Sequence, residues 1–441
     1  MRGAVAAGHL LTAEAGAAVL ARGGNAVDAC VAAAFAAAVA EGPLTGPAGG
    51  GFLLVHERGR AVVLDCFFAE PTARHGEMEE VLVDFADAST QTFHVGEGSV
   101  AVPGLVAGLE EGHRRFGSLP WAELVSPAVA LAREGVVRNE AQVFLHQILR
   151  GILLRSEEGA RVYGDPERVV TAELAGTLEA IRDRGAAAVA DLLPELADDL
   201  ACYRVEEREP LRAEAHGHTV LATPAPSRGG AVVLEILRMT GAPDFVDSLH
   251  DLARAIGIAY GAAAPGRLTG TTHISAVDAH GGAAALSSTL GSGSGVFRGG
   301  TQLNNMLGEL DVIGDDERPA GARLPSMMTP TLVLEDGRPR LVLGSAGSVR
   351  LAGAIAQVAW RVAPVEEAIE APRVHVDGDT VHVEGGWDDG AVAGLHAAWD
   401  VVRWAGRNLF FGGVQAVELR ADGTLAAAGD PRRGGAGVVV G

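Results

Sequence analysis

The sequence predicts an α+β fold in a single domain spanning residues 1–441, with helix layers over antiparallel sheets. Three observations predict it. Segments of helical period alternate with segments of strand period along the first half. From Gly270 onward the texture turns to apolar strands joined by short glycine-containing turns. No linker, low-complexity tract or internal repeat separates these parts, and at 48% hydrophobic residues the chain can bury a sizeable core.

The elements follow in order. Thr12 to Arg22 has helical periodicity and is stopped by Gly23-Gly24. Asn25 caps a second helix with Asp28 in its first turn; that helix, VDACVAAAFAAAVA, is apolar nearly all round and is therefore expected to be buried. FLLVHERGRAVVLDC reads as two strands around a Glu57–Arg60 turn. Val102 to Gly117 and then SLPWAELVSPAVALAREG read as helices, and residues 137–200 as helical and polar-faced. Thr219 to Gly230 is a strand and a proline-rich loop, leading into a helix through Met239; Asp251 to Tyr260 is a further helix. THISAVD and AAALSSTL flank Ala279-His280-Gly281, a three-residue hairpin loop with glycine where a positive φ is needed. Further hairpins centre on Asp336-Gly337 and Asp422-Gly423, and helices recur at 352–361, 364–370 and 389–399.

Composition narrows the function classes. A formal charge of −21 argues against nucleic acid or an anionic membrane as partner. Cys30, Cys66 and Cys202 show no metal-binding or disulfide spacing, so no metal and no cofactor is expected. His9, Thr12 and Glu14 interrupt the N-terminal apolar run too early for a secretory h-region, and no charge-free run reaches membrane-spanning length. The expectation is a soluble cytoplasmic protein acting on a small molecule.

GTTHISAVD, Gly270 to Asp278, carries the most suggestive chemistry. Thr271 and Thr289 are equidistant from His280, so an antiparallel hairpin would set them side by side, about 5 Å apart. Threonine favours strands in any case. If the chain were cut before Thr271, however, that residue would gain an α-amino group with a reference pKa of about 7.7–8.0 beside its own hydroxyl, a nucleophile and its base in one residue. Gly270 can adopt the strained backbone that self-cleavage requires. His273 and His280 read as strand and turn residues, Asn304-Asn305 as satisfying buried backbone, and DPRR as a turn with an ion pair. PLTGPAGGG lacks a P-loop ending and reads as a tight loop beside the site.

GGNAVDACVAAAFAAAVAEGPLTGPAGGGFLLVH resembles the opening of the γ-glutamyltranspeptidase family, a branch of the N-terminal-nucleophile hydrolases. VPGLVAGLEEGHRRFGSLPWAELVSPAVALAREG, TPAPSRGG, GTTHISAVDAHGG, LNNMLGE, MMTPTLVLEDG, GSAGSVR, EAPRVH and DGTLAAAGDPRR follow in family order, from residue 3 to residue 433. The resemblance implies a four-layer αββα sandwich. It also implies self-cleavage between Gly270 and Thr271 into a large segment, 1–270, and a small one, 271–441. Thr271 would be the nucleophile, Thr289 would hold its hydroxyl, and the backbone N–H groups of Gly347 and Ser348 would form the oxyanion hole. Ser326 matches the first serine of a pair that binds the substrate α-carboxylate, and Glu309 falls where the family binds the α-amino group.

Four departures stand out. Phe67 in LDCFFAEP occupies the place of the arginine that grips the γ-glutamyl carboxylate, with Arg74 seven residues on; a phenyl ring cannot supply that charge-assisted clamp. Met327 replaces the second serine of the pair, and Gly291 replaces an asparagine two residues after Thr289. The segments before Thr271 and between Glu309 and Pro325 are short for the family. The reacting groups survive while glutamate recognition is lost, and an apolar patch of Phe67, Phe68, Met327 and Met328 takes its place. The resulting expectation is an autoprocessing threonine hydrolase or acyltransferase that cleaves an amide, γ-glutamyl-like bond, with glutamate specificity open. The alternatives are a C–C bond or other amide hydrolase of the same family, and an uncleaved binding homologue.

Overall fold

The computed structural model describes residues 3–84, 90–165, 167–242, 248–261, 270–314, 317–361 and 363–441. Two large antiparallel sheets form its centre. Their strands, in chain order, are β1 (Gly3–Ala7), β2 (Gly50–Glu57), β3 (Arg60–Cys66), β4 (Glu206–Arg208), β5 (Leu211–Ala215), β6 (His218–Ala222), β7 (Gly270–Asp278), β8 (Ala283–Gly291), β9 (Thr331–Glu335), β10 (Arg338–Ala346), β11 (Gly413–Leu419), β12 (Leu425–Gly429) and β13 (Ala436–Val440). The first sheet runs β13-β1-β7-β8-β2-β3-β4 and the second β12-β11-β10-β9-β6-β5.

The first sheet is apolar on both faces because alternate residues serve different cores. Val5, Leu53, Val55, Ile274, Ala276 and Leu286 pack into a core shared with helices α1 (Leu10–Ala21), α2 (Ala26–Ala40), α3 (Leu105–Phe116) and α4 (Trp121–Glu134). Their neighbours Ala4, Ala6, Phe52, Leu54, Val277 and Ala285 face the second sheet and join the core that continues to α5 (Gly229–Thr240), α6 (Leu249–Tyr260) and α7 (Leu351–Ala359). The order helix, sheet, sheet, helix is the four-layer αββα sandwich. Among the described residues no helix is long and apolar enough to cross a membrane.

The expected α2 forms as read: Asn25 and Asp28 make a reciprocal capping box, and every residue from Ala26 to Ala40 is buried. The hairpins at Asp336-Gly337 and Asp422-Gly423 form as well. Two corrections come from tertiary contacts. Gly3–Ala7 is a strand between β7 and β13, although its small alanines carry no strand signature. The β7–β8 loop holds four residues, 279–282, because Asp278 draws the chain into a turn: its carboxylate accepts from the amides of His280 and Gly282 and also from Ala26 at the start of α2. Gly281 takes φ +78°, as the turn requires. The helix expected over 389–399 ends at Leu395, and a turn leads from it into Asp400–Arg403, which joins Val374–Asp377 and Thr380–Val383 in a small sheet.

Candidate active site

β7 and β8 pair with Thr272 opposite Ser288 and Val277 opposite Ala283, the register that sets Thr271 toward Thr289. The ladder slips between Gly270 and Thr272, where Gly270 pairs with Gly291 instead. Gly270 fits this corner for want of a side chain: a Cβ would lie 2.5 Å from the Gly291 carbonyl oxygen and 3.2 Å from that of Pro43. Pro43 belongs to the PLTGPAGGG loop, which thus does lie against Gly270.

The alternation of β7 assigns its first side chains. Ile274 and Ala276 point to the helix layer, so Thr272 does too, while Thr271, His273 and Ser275 face the second sheet. Thr271 is 2% exposed, and its hydroxyl engages none of the described residues. The Thr289 hydroxyl, expected on the Thr271 side chain, donates instead to the carbonyl of Gly270, and its oxygen accepts from the Gly291 amide at 2.8 Å. In the intact chain it therefore polarises the carbonyl of the peptide bond that precedes Thr271. His273 is fully buried between Ser287 and Ser275, at 2.8 and 2.9 Å, and burial pushes its pKa down to about 3, which keeps the ring neutral.

β10 delivers the second component. At its end Gly347 takes φ +127° and Ser348 φ +58°. A non-glycine residue in that region costs roughly 1–3 kcal/mol and marks a position held by its surroundings. Neither amide is used by a turn or ladder of the described residues. The Ser348 hydroxyl is buried with no hydrogen-bond partner among the described residues. Thr271, Thr289 and Ser348 line one cavity of about 20 Å³, so the three hydroxyl residues converge on one place; Gly347, the neighbour of Ser348, does not itself line it.

The remaining expected residues divide. Phe67, Ser326 and Met327 line the same cavity, as does Gly291. Phe67 stacks on Phe52 at 5.3 Å and meets Phe68 edge-on at 5.0 Å. Glu309 is buried rather than exposed and does not line the cavity; it sits behind Gly291, accepting from the Ser292 amide and hydroxyl at 2.9 and 2.6 Å. Burial pushes its pKa up to about 7 against those hydrogen bonds. Arg74 pairs with Glu70 at 3.1 Å and takes no place in the cavity wall. Asn304 serves the backbone of Ala48 and Ala101, as read, and Asn305 accepts from the amides of Ser292 and Gly293. DPRR supplies Asp430 to Arg373 and Arg432, all fully buried as side chains.

One residue escaped the sequence reading. Glu41, at the end of α2, accepts from Thr272 at 2.5 Å and from Thr12 at 2.7 Å, and burial pushes its pKa up to about 7. It ties α1, α2 and β7 together behind the candidate nucleophile. A carboxylate closing an otherwise apolar helix was its only visible signal. Among the described residues no cluster of His, Cys, Asp or Glu is arranged to hold a metal.

A family model described as gamma-glutamyltranspeptidase matches residues 12–265 and 258–440. The chain belongs to the gamma-glutamyltranspeptidase family. Within it, the glutathione hydrolase proenzyme of Pseudomonas aeruginosa is 32% identical, over 99% of this chain and 94% of its own length. The acylase ACY 1 proenzyme of Pseudomonas sp. (strain SE83) is 29% identical, over 100% and 94% respectively. A crystal structure of cephalosporin acylase from Bacillus halodurans matches the fold with a TM-score of 0.85 over 99% of this chain and 95% of its own, at 22% identity. Membership makes this chain an enzyme of the N-terminal-nucleophile hydrolase type, in a family that spans transpeptidases and acylases.

Proposed function

We propose that the protein is an autoprocessing threonine hydrolase or acyltransferase that cleaves an amide through an acyl-enzyme on Thr271. The observation that carries this reading is the Thr289 hydroxyl on the Gly270 carbonyl, beside a Thr271 hydroxyl with no described partner. Thr271 Oγ attacks the Gly270 carbonyl carbon while Thr289 stabilises the oxygen. The Gly270–Thr271 C–N bond then breaks, leaving an ester on Thr271 Oγ and a free Thr271 amine. Water hydrolyses the ester, so residues 1–270 end in a carboxylate and 271–441 begin with the nucleophile.

In turnover the Thr271 amine takes the proton of Thr271 Oγ as the oxygen attacks the substrate carbonyl. The amides of Gly347 and Ser348 receive the developing oxyanion. The proton passes to the departing amine, and water or a second amine resolves the acyl-enzyme. The strand order supports a cleaved molecule that stays together. β1 lies between β7 and β13, β8 pairs with β2, and β9 with β6, so both sheets combine strands from the two segments. Glu309 and Ser326 belong to this reading as groups around the substrate, Ser326 in the wall and Glu309 behind it.

Intact mass of the purified protein tests it. Fragments of 1–270 and 271–441 are expected, with a mass increment on the smaller one when an activated acyl compound is added. A chain that stays whole after long incubation, with no adduct on Thr271, overturns it.

A further inference from the structure

We propose that the acyl half of the substrate is uncharged and apolar. This rests on the Thr271 reading above. Among the described residues, no ionisable side chain lines the cavity at Thr271. Its apolar surface is made by Phe67, Met306, Val312, Met327, Met328 and Leu351. Five of these are at most 7% exposed, so they are fixed parts of the core rather than a movable rim. Phe67 is held between Phe52 and Phe68 and cannot swing aside without opening a void.

The described arginines nearby have partners of their own. Arg323, on the loop leading to Ser326, lies 3.3 Å from Asp65 and over the Tyr203 ring at 4.2 Å. Arg350, two residues beyond Ser348, donates to the Phe410 carbonyl at 2.7 Å and covers the Phe410 ring at 4.4 Å. Arg74 is paired with Glu70. Arg228, together with Tyr260 and Asp377, lines a separate cavity of about 50 Å³ that shares Met327 with the first. From that side the Arg228 guanidinium reaches the carbonyl of Val312 at 3.5 Å. Within the described wall, a substrate carboxylate drawn into the first cavity would lose its hydration and gain no cation, and a substrate ammonium would meet no carboxylate, because Glu309 turns to Ser292 behind Gly291.

The test compares two anilides of the same carbon skeleton, pentanoyl-p-nitroanilide and γ-L-glutamyl-p-nitroanilide, with the processed enzyme. The expected kcat/KM favours the pentanoyl compound by about 100-fold or more. Phe67→Arg should shrink that preference at least about tenfold, while Phe67→Leu should keep it and serve as the folding control. Equal or better turnover of the γ-glutamyl compound, with an acyl-enzyme on Thr271 from both, overturns the apolar assignment and leaves the nucleophile standing. No acyl-enzyme from either compound overturns the nucleophile, and the assignment falls with it.

A different observation concerns the Ser348 side chain. It is 4% exposed, its hydroxyl has no hydrogen-bond partner among the described residues, and it lines the cavity with Thr271 while its backbone holds φ +58°. A buried unpaired hydroxyl on a strained residue is costly twice over unless a ligand uses it. We infer that Ser348 Oγ donates to the acyl oxygen as charge develops, alongside the two amides. Ser348→Gly keeps the amide and relieves the positive φ. It should leave Tm unchanged or higher, and lower kcat about 10- to 100-fold on whichever anilide is turned over, with KM within about twofold. An unchanged kcat overturns the role.

Discussion

Thr271 and Thr272 are adjacent residues on one strand with opposite surroundings. Thr272 faces the helix layer, where its hydroxyl is bound by Glu41 and Glu41 is bound again by Thr12. Thr271 faces the other sheet across a cavity where, among the described residues, the Ser348 hydroxyl is bare and the Gly347 and Ser348 amides beside it lie outside any turn or ladder. One side is a closed network that holds the strand, and the other is an open set of donors around a reactive position. Buried polar groups with all their partners present specify structure; those left incomplete on a rigid frame are where chemistry is to be sought.

The sharpest way to break this comparison is to exchange the roles of the two threonines. Thr271→Ala should abolish chain cleavage and lower turnover by about 10⁴-fold or more, read by intact mass and anilide hydrolysis. Thr272→Ala should leave cleavage in place and lower stability instead, because Glu41 loses a donor, by about 1–3 kcal/mol in denaturant unfolding. If Thr272→Ala also blocks cleavage in folded protein, the two faces are not separate. Next in size is Thr289→Val, which removes the donor to the Gly270 carbonyl. Self-cleavage should slow by about 10²- to 10³-fold, measured as the half-time of the intact chain on a gel. An unchanged half-time would show that the Thr289 contact belongs to the closed side of the comparison.

The legibility of the site in sequence divides along the same line. The α2 cap, the β7–β8 register and the grouping of Thr271, Thr289, Ser348, Ser326, Phe67 and Met327 follow from local pattern and motif order. The Glu41–Thr12–Thr272 network was not legible, because its members come from three elements and only packing brings them together. β1 was missed for a related reason: its alanines favour a helix, and its place between β7 and β13 is a tertiary fact. The contact of the Thr289 hydroxyl with the Gly270 carbonyl in the intact chain was not legible, because the strand pattern alone carries no sign of the register slip at Gly270. Ser348 showed as a motif residue, but its positive φ, and hence the significance of its hydroxyl, is visible only in the backbone.

The smallest expected effect distinguishes Glu41 from Glu309 by pH. Burial raises each carboxyl from an ordinary value of 4.5 to about 7 in the folded protein. Between those values the folded state holds protons that the unfolded state has released, so stability must fall as pH rises through that window. Each residue accounts for a decline of about 2 kcal/mol between about pH 5 and pH 7.5. Glu41→Gln should flatten its part of the slope in thermal unfolding while leaving the pH dependence of kcat unchanged, because its carboxyl meets only Thr12 and Thr272. Glu309→Gln should flatten the slope too but also move the pH profile of turnover, because Glu309 abuts Gly291 in the cavity wall. If Glu41→Gln shifts the kcat profile as strongly as Glu309→Gln does, the closed network behind Thr272 is electrically coupled to the nucleophile, and the separation of the two faces gives way to a single site that spans the strand.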